Sequence, residues 1–367
     1  MVHKLRFKML ILCEIITLCI FSSVLIKQNI TDSVFTSGTE AKKDFIKWVD
    51  FSVCYAALDR AYRYDVESHE EEVKLNWIEL LAYLGAKYGG DFSRYKEKNM
   101  TDLVNKLRNN EETMSSITED MKYYNYYYDA YSAVLGGFVG EYQVEIADSS
   151  SPTGRKWVEQ YGLKAFLPIA KYYPYSHSDD FGVSRSYGYK RKHLGHDMMG
   201  QVGTPIVAVE SGYVEALGWN MYGGWRIGIR SLDDKRYYYY AHLRKNFPYN
   251  KSLAVGSIVQ AGDVIGYLGR TGYSKTENAN NIQTPHLHFG LQLIFDESQK
   301  EAVNEIWVDC FDLIMFLYRN RCETVKNPET KEYSRVYGFI DPVVEEYVNR
   351  GKYKYNDEDI NIRLYDN

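Results

Sequence analysis

The sequence predicts an α+β protein, an N-terminal helical domain followed by an antiparallel all-β domain that closes with a helix. Three observations carry this expectation. From Asp44 to about Val139, apolar residues recur every three or four positions, the period of a helix with one buried face. Beyond residue 157 glycine becomes frequent, and short runs such as "TPIVAVESGYVEAL", "WRIGIRS" and "GSIVQAGDVIGYLG" alternate with turn residues, the spacing of antiparallel strands. Between the two regions, "ADSSSPTGRK" (147–156) is polar and rich in Ser, Pro and Gly, and reads as a linker.

Taken in order, the chain opens with "HKLRFK" and then the apolar run Met9–Ile26, interrupted mainly by Glu14. That run is about the minimum for a spanning helix, and its basic flank predicts a cytoplasmic N-terminus with the rest outside. A cleaved signal peptide competes, although no small-residue cleavage site follows. Residues 1–30 are therefore read as an N-terminal membrane anchor or signal segment, and 31–43 as a polar tether. Residues 44–146 read as a helical domain of about four helices. "FIKWVDFSVCYAALDRAY" is the first, and "HEEEVKLNWIELLAYLGAKYGG" opens acidic and closes on Lys87, Gly89 and Gly90, as the helix dipole favours. Thr118 is placed as the N-cap of "TEDMKYYNYYYDAYSAVLGGFVG", and His69 as a solvated, inert residue. Residues 157–321 form the β domain with its terminal helix "NEIWVDCFDLIMFLYRNR", and 322–367 a loose polar tail.

Composition narrows the function. A net charge of −5 with no evident basic patch argues against nucleic acid as partner. The 35 tyrosines read mostly as wall and core residues, a minority lining a carbohydrate- or peptide-bearing groove. Five scattered cysteines lack a CxxC or a Cys/His metal spacing, so free thiols are expected, with a Cys310–Cys322 bridge left open.

The histidines carry the chemistry. Five of the eight fall in three islands, "RKHLGHDMMG", "YYYYAHL" and "PHLHFG". In an extended "PHLHFG", His286 and His288 share one face with Cα atoms roughly 6.5 Å apart. Such a pair can share a metal, act as acid and base, or decorate a wet sheet. In "HLGHD" the alternation puts His193, Gly195 and Asp197 on one face, with His196 opposite as a packing residue. His193 and Asp197 with a third ligand from "HLH" would give a two-His, one-carboxylate shell with an open fourth position, the pattern of a catalytic zinc. Singly, each island is an ordinary surface or core histidine; together they argue for convergence. The fingerprints H-E-x-x-H and G-x-S-x-G are missing.

"HLGHDMMGQVGTPIVAVESGYVEALGW", "YYYYAHL", "VGSIVQAGDVIGYLGRTG" and "PHLHFGLQL", in this order over about 190–295, resemble the lysostaphin-like zinc endopeptidases of the M23 peptidase family. More loosely, the arrangement over 44–320 resembles a membrane-anchored clostridial-type branch. The resemblance implies a lysostaphin-like β domain with one Zn2+ per chain, His193, Asp197 and His288 as metal ligands, and His242 and His286 as non-ligand catalytic histidines. It implies hydrolysis of peptide bonds in peptidoglycan stem peptides or crossbridges, outside the membrane. The alternative is a catalytically silent wall-binding or scaffold protein with the same groove; such relatives usually lack a ligand, and this chain retains all three. Trp225 and Arg226 stand where the family more often has a smaller glycine-asparagine-aromatic turn, which bears on substrate preference. Tyr240 is read as sharing a face with His242, and His177 as a possible rim residue of the groove. The helical domain is expected to dock beside the groove or to act as a spacer. The bond cut, the biological timing and the oligomeric state are left open.

Overall fold

The extended Cys54 leads into α1 (Tyr55–Ser68), followed by α2 (Trp77–Tyr88), α3 (Glu97–Arg108), the short α4 (Met114–Thr118) and α5 (Tyr124–Leu135). The computed structural model describes residues 46–49, 51–187, 189–300 and 304–351. The anchor or signal segment 1–30 and the tether 31–43 lie outside the described residues, among which no helix is long and apolar enough to cross a membrane.

The helices are shorter than their periodic patterns because local chemistry sets their ends. The Asn76 side chain accepts from the amides of Ile78 and Glu79, so α2 begins at Trp77 rather than in the acidic run before it. It ends where Gly89 takes a left-handed conformation. Thr118 does not cap the last helix. It sits at the end of α4 and donates its hydroxyl to Met114 O, leaving α5 to start at Tyr124. His69 is at the C-terminal end of α1, stacked on the Tyr161 ring at 3.7 Å and 3.0 Å from Glu141, so it is not a free surface residue.

The helical domain does not end at 146, and 147–156 is not a linker. Val139–Ala147 is strand β1 and Arg155–Leu163 is β2, paired antiparallel through a full register from Val139↔Leu163 to Ala147↔Arg155. Ser, Pro and Gly suit a hairpin turn as well as a linker, and here Asp148 accepts from Ser150 N while Gly154 holds φ +72°. Nor is 322–367 a loose tail as far as it is described. β15 (Thr324–Lys326) and β16 (Tyr333–Arg335) form a hairpin, β17 (Phe339–Ile340) pairs with β1, and α7 (Pro342–Asn349) is capped by Asp341. The expected terminal helix reduces to α6 (Phe311–Leu317), because Ile306–Trp307 instead pairs as β14 with β13. Cys54, Cys310 and Cys322 are free thiols.

The remaining strands include an antiparallel eight-stranded sheet in the order β11 (Ile258–Val259), β8 (Gly212–Asn220), β9 (Gly224–Ser231), β10 (Arg236–Ala241), β13 (His286–Leu293), β6 (His196–Gly200) and β3 (Tyr175–His177), with β14 also on β13. Its centre is β9, β10 and β13, flanked by β6 and β3. Tyr238, Tyr240, Leu287, Phe289, Leu291 and Leu293 fill one face of this sheet. They belong to a single hydrophobic cluster that also contains Leu58, Leu80, Leu81, Val134 and Phe138 of the helical region. Helices and sheet therefore share one core, and residues from Ile46 onward fall in one compact unit.

An ion network stitches that core. Arg236 is 1% exposed, donates from Nε and Nη2 to the Glu210 carboxylate at 2.8 and 3.0 Å, and donates from Nη1 to Ala133 O in α5 at 2.8 Å. Tyr238 also donates to Glu210. At the other end, Lys164 after β2 pairs with Asp341 at 2.9 Å, both buried. Removing one partner of such a pair strands the other in a low dielectric, a loss of about 3–5 kcal/mol. We expect Arg236→Met to lower unfolding stability by about that amount in urea titration. A change under about 0.5 kcal/mol, the range of an ordinary surface substitution, would contradict the linking role.

Candidate metal centre and flanking histidines

Strand register assembles the site. β13 lies between β6 and β10, with His288 opposite Asp197 on one side and Ala241 on the other. His286 and His288 point away from the core face that Leu287 and Phe289 occupy. His193 precedes β6, and its Nδ1 lies 3.0 Å from the carbonyl of Asp180. A carbonyl only accepts, so Nδ1 carries the proton and Nε2 turns its lone pair inward. His193 Nε2, Asp197 Oδ1 and His288 Nδ1 then form a triangle with edges of 3.1, 2.9 and 3.0 Å.

Those three, two histidines and an aspartate, have donor atoms that converge closely enough for one ion. A tetrahedral ion with bonds of 2.0–2.2 Å spaces its ligands by about 3.3–3.6 Å, a few tenths of an ångström beyond the observed edges. The donor set also has the outer support such sites use. Asp197 Oδ2 accepts from Arg185 Nη2 at 3.0 Å, and the same nitrogen donates to Asp180 Oδ2 at 2.6 Å. Burial alone would raise the Asp197 pKa, but the close contacts with the His193 and His288 rings prevail and hold the carboxyl well below its usual range. Asp197 is therefore a carboxylate, as a metal ligand must be.

Gly195, the middle residue of "HLGHD", has a steric reason. A Cβ there would stand 2.5 Å from His288 Cε1 and 2.8 Å from Phe289 O. Only glycine lets the segment carrying His193 and Asp197 pass this close to the imidazole of His288.

His242 and His286 stand beside the triangle. Their ring centroids are 4.8 Å apart, and His242 is 5.7 Å from His288. His242 Nδ1 donates to Thr271 O at 2.9 Å and His286 Nδ1 to Thr284 O at 2.8 Å, so in the neutral ring each Nε2 keeps its lone pair. Burial, then the neighbouring His286, pushes the His242 pKa well below its ordinary value, and the ring is neutral.

Strict alternation would send His242 to the core, because Ala241 is the residue paired with His288. His242 instead adopts φ +61°, which turns its side chain to the histidine face. Tyr240 is thus not a companion of His242. It is fully buried in the core and its hydroxyl accepts from Val209 N. A non-glycine residue held at positive φ beside reactive groups is a form of strain that functional sites often store.

His177 is corrected as well. It lies on β3, with Nδ1 2.8 Å from Nε2 of the fully buried His196 and its ring 5.4 Å from Phe311, on the opposite side of β6 from Asp197. Burial, then His177, pushes His196 down to about 4, so this is a neutral packing pair. Trp225 donates Nε1–H to Asn278 and packs edge-on against Trp219 and Tyr249. The alternation of "HLGHD" and "HLH" points to His193, Asp197 and one histidine of the pair, and the family resemblance selects His288; Arg185, Asp180, Thr271 and Thr284 were missed. Arg185 had one signal, the cation-rich run just before His193; the backbone carbonyls had none.

Residues 191–304 match Peptidase family M23. The chain is 40% identical over 131 residues to the L-Ala–D-Glu endopeptidase of Bacillus subtilis, covering 35% of this chain and 38% of that protein. It is 41% identical over 98 residues to lysostaphin of Staphylococcus staphylolyticus, covering 26% of this chain and 18% of that protein. The chain thus spans well under half the length of these curated relatives. A crystal structure of LytM from Ruminococcus gnavus shares the fold at 21% identity and a TM-score of 0.50, covering 76% of this chain and 93% of that one.

If the triangle binds a metal, His193→Ala, Asp197→Ala and His288→Ala will each abolish stoichiometric uptake in elemental analysis. Undiminished metal in all three would refute the assignment. Arg185→Gln and Gly195→Ala should keep the fold and weaken affinity, Arg185→Gln by about 10- to 100-fold in chelator competition.

Proposed function

We propose that the chain is a zinc endopeptidase cutting peptides of peptidoglycan, a reading supported by the match of residues 191–304 to Peptidase family M23. The observation that carries the reading is the placement of two imidazoles, His242 and His286, beside a two-His, one-carboxylate triangle. Relatives named as an L-Ala–D-Glu endopeptidase and as lysostaphin support the substrate class. His193, Asp197 and His288 would hold the zinc, which when bound supplies Lewis acidity, polarising a carbonyl and acidifying water.

The remaining work belongs to the protein's own groups. With Nδ1–H committed to a backbone carbonyl, His242 and His286 each present Nε2 toward the site. One takes the proton of the attacking water and later delivers it to the departing amine. The other, once protonated, donates a hydrogen bond to the oxyanion as it develops. Their fixed tautomers mean no ring has to turn before either transfer. Arg185 and Asp180 hold Asp197 and His193 in orientation and do not meet the substrate.

The apolar run Met9–Ile26 with its basic flank supports a single-pass anchor that leaves the catalytic region extracytoplasmic, as in the anchored clostridial-type branch. Protease added to intact, wall-stripped cells should then remove the region beyond residue 44, whereas mature protein found in the medium and starting near residue 30 would indicate cleavage.

The full chain incubated with purified wall should release new peptide ends identifiable by mass spectrometry. His242→Ala and His286→Ala should keep their metal and each lose about 10²- to 10⁴-fold in turnover. Near-wild-type cleavage by either variant would remove that histidine from the mechanism.

A further inference from the structure

The hairpin β4–β5, Ser184–Tyr187 and Tyr189–Lys192, runs directly into His193. Its sequence "SRSYGYKRK" holds Arg185, Lys190, Arg191 and Lys192 and no acid, in a chain whose net charge is −5. Arg185 is spoken for by Asp180 and Asp197. Lys190 and Lys192 are exposed. Arg191 is half-buried, and its surroundings are of a different kind.

The Arg191 guanidinium lies 5.4 Å from the ring centre of Tyr222 and 5.2 Å from that of Tyr273, and it donates to the Tyr273 hydroxyl. Tyr222 belongs to the turn between β8 (Gly212–Asn220) and β9, and Tyr273 to the loop after β12 (Val264–Tyr267). The two loops are tied by Tyr273 N donating to Tyr222 O. The Tyr273 ring is in turn 5.9 Å from His242. One aromatic ring therefore separates the guanidinium from a proposed catalytic imidazole. Among the described residues no carboxylate pairs with Arg191, whereas Arg185 nearby has two.

A partly desolvated cation held between two tyrosine faces gains some compensation from the rings, but less than a counter-ion provides. A guanidinium has five N–H donors in a fixed fork, and Arg191 gives one of them to the Tyr273 phenol. The geometry suits a ligand that brings a carboxylate, which such a fork binds with charge-assisted and often paired hydrogen bonds.

We propose that the cleft takes an acidic peptide and that Arg191 recognises a substrate carboxylate flanking the scissile bond. This rests on the peptidase reading above and names the substrate class for that site. Arg191 then determines specificity and takes no part in proton transfer. It favours acidic stem peptides over uncharged glycine-rich bridges.

The test uses the full chain and two soluble stem peptides that differ only at the glutamate α-carboxyl, free in one and amidated in the other. Wild type should cut the carboxylate form about tenfold faster in kcat/KM, the value of one charged hydrogen bond. Arg191→Gln should erase the difference by slowing only the carboxylate form, and Arg191→Lys should keep part of it. Binding of the same peptides to chelator-treated protein, followed by calorimetry, should show the same order. If neither peptide is cut but the carboxylate form still binds more tightly through Arg191, the peptidase reading fails and this one stands. Equal binding of the two forms to wild type would overturn the proposal. A parallel loss for both forms in Arg191→Gln would do so too, reducing Arg191 to a brace between hairpin and loops.

Discussion

The register of β13 between β6 and β10 is the constraint on which the rest depends. Because His288 sits opposite Asp197 and beside Ala241, a slip of one residue would turn both imidazoles of "HLH" into the core and Leu287 and Phe289 toward the groove. The core resists that slip, since Leu287, Phe289, Leu291 and Leu293 are essentially fully buried on the other face. Hydrophobic burial thus holds the polar site in place, and each apolar residue of β13 helps to aim a histidine it does not touch.

Two local departures from regular strand geometry complete the site. Gly195 removes the one Cβ that would collide with the His288 ring, so the His193–Asp197 segment can close on it. The positive φ of His242 rotates a residue that alternation would bury onto the histidine face. Backbone carbonyls of Thr271 and Thr284 then fix the tautomers of His242 and His286. The proposed division of labour, three residues for a metal and two for protons, follows from the convergence of His193, Asp197 and His288 on one point with His242 and His286 beside it.

The helices belong to the same body as the sheet. Arg236 on β10 reaches the C-terminal end of α5, and Tyr161 on β2 donates to the buried Asp65 of α1 at 2.7 Å. The C-terminal residues return to pair β17 with β1 and Asp341 with Lys164. Helical residues thus back the strands that carry the histidines, and much of the tyrosine excess serves this packing: Tyr131, Tyr238 and Tyr240 are buried, and Tyr62 meets both Trp77 and Phe316 edge-on.

The sequence by itself determined the fold class and the three histidine islands, and the family resemblance those islands carry singled out His193, Asp197, His242, His286 and His288. Alternation in "HLGHD" and "HLH" is a local property, so the face each residue takes is readable without the fold. Boundaries were harder, because "SSSPTG" serves a hairpin as well as a linker, and apolar periodicity over 45–62 and 304–321 continues past the point where a helix stops. Only the tertiary structure decided that the helices and the sheet share one core, and that residues 322–351 pack back through Cys322 and Tyr333 in a second cluster and through the pairing of β17 with β1. It alone brought Arg185 to Asp197, Arg191 between Tyr222 and Tyr273, and Tyr240 into the interior. Such contacts join residues many positions apart, and the turn at His242 depends on a carbonyl 29 residues away. No periodicity records a long-range hydrogen bond; it exists only once the strands have found their register.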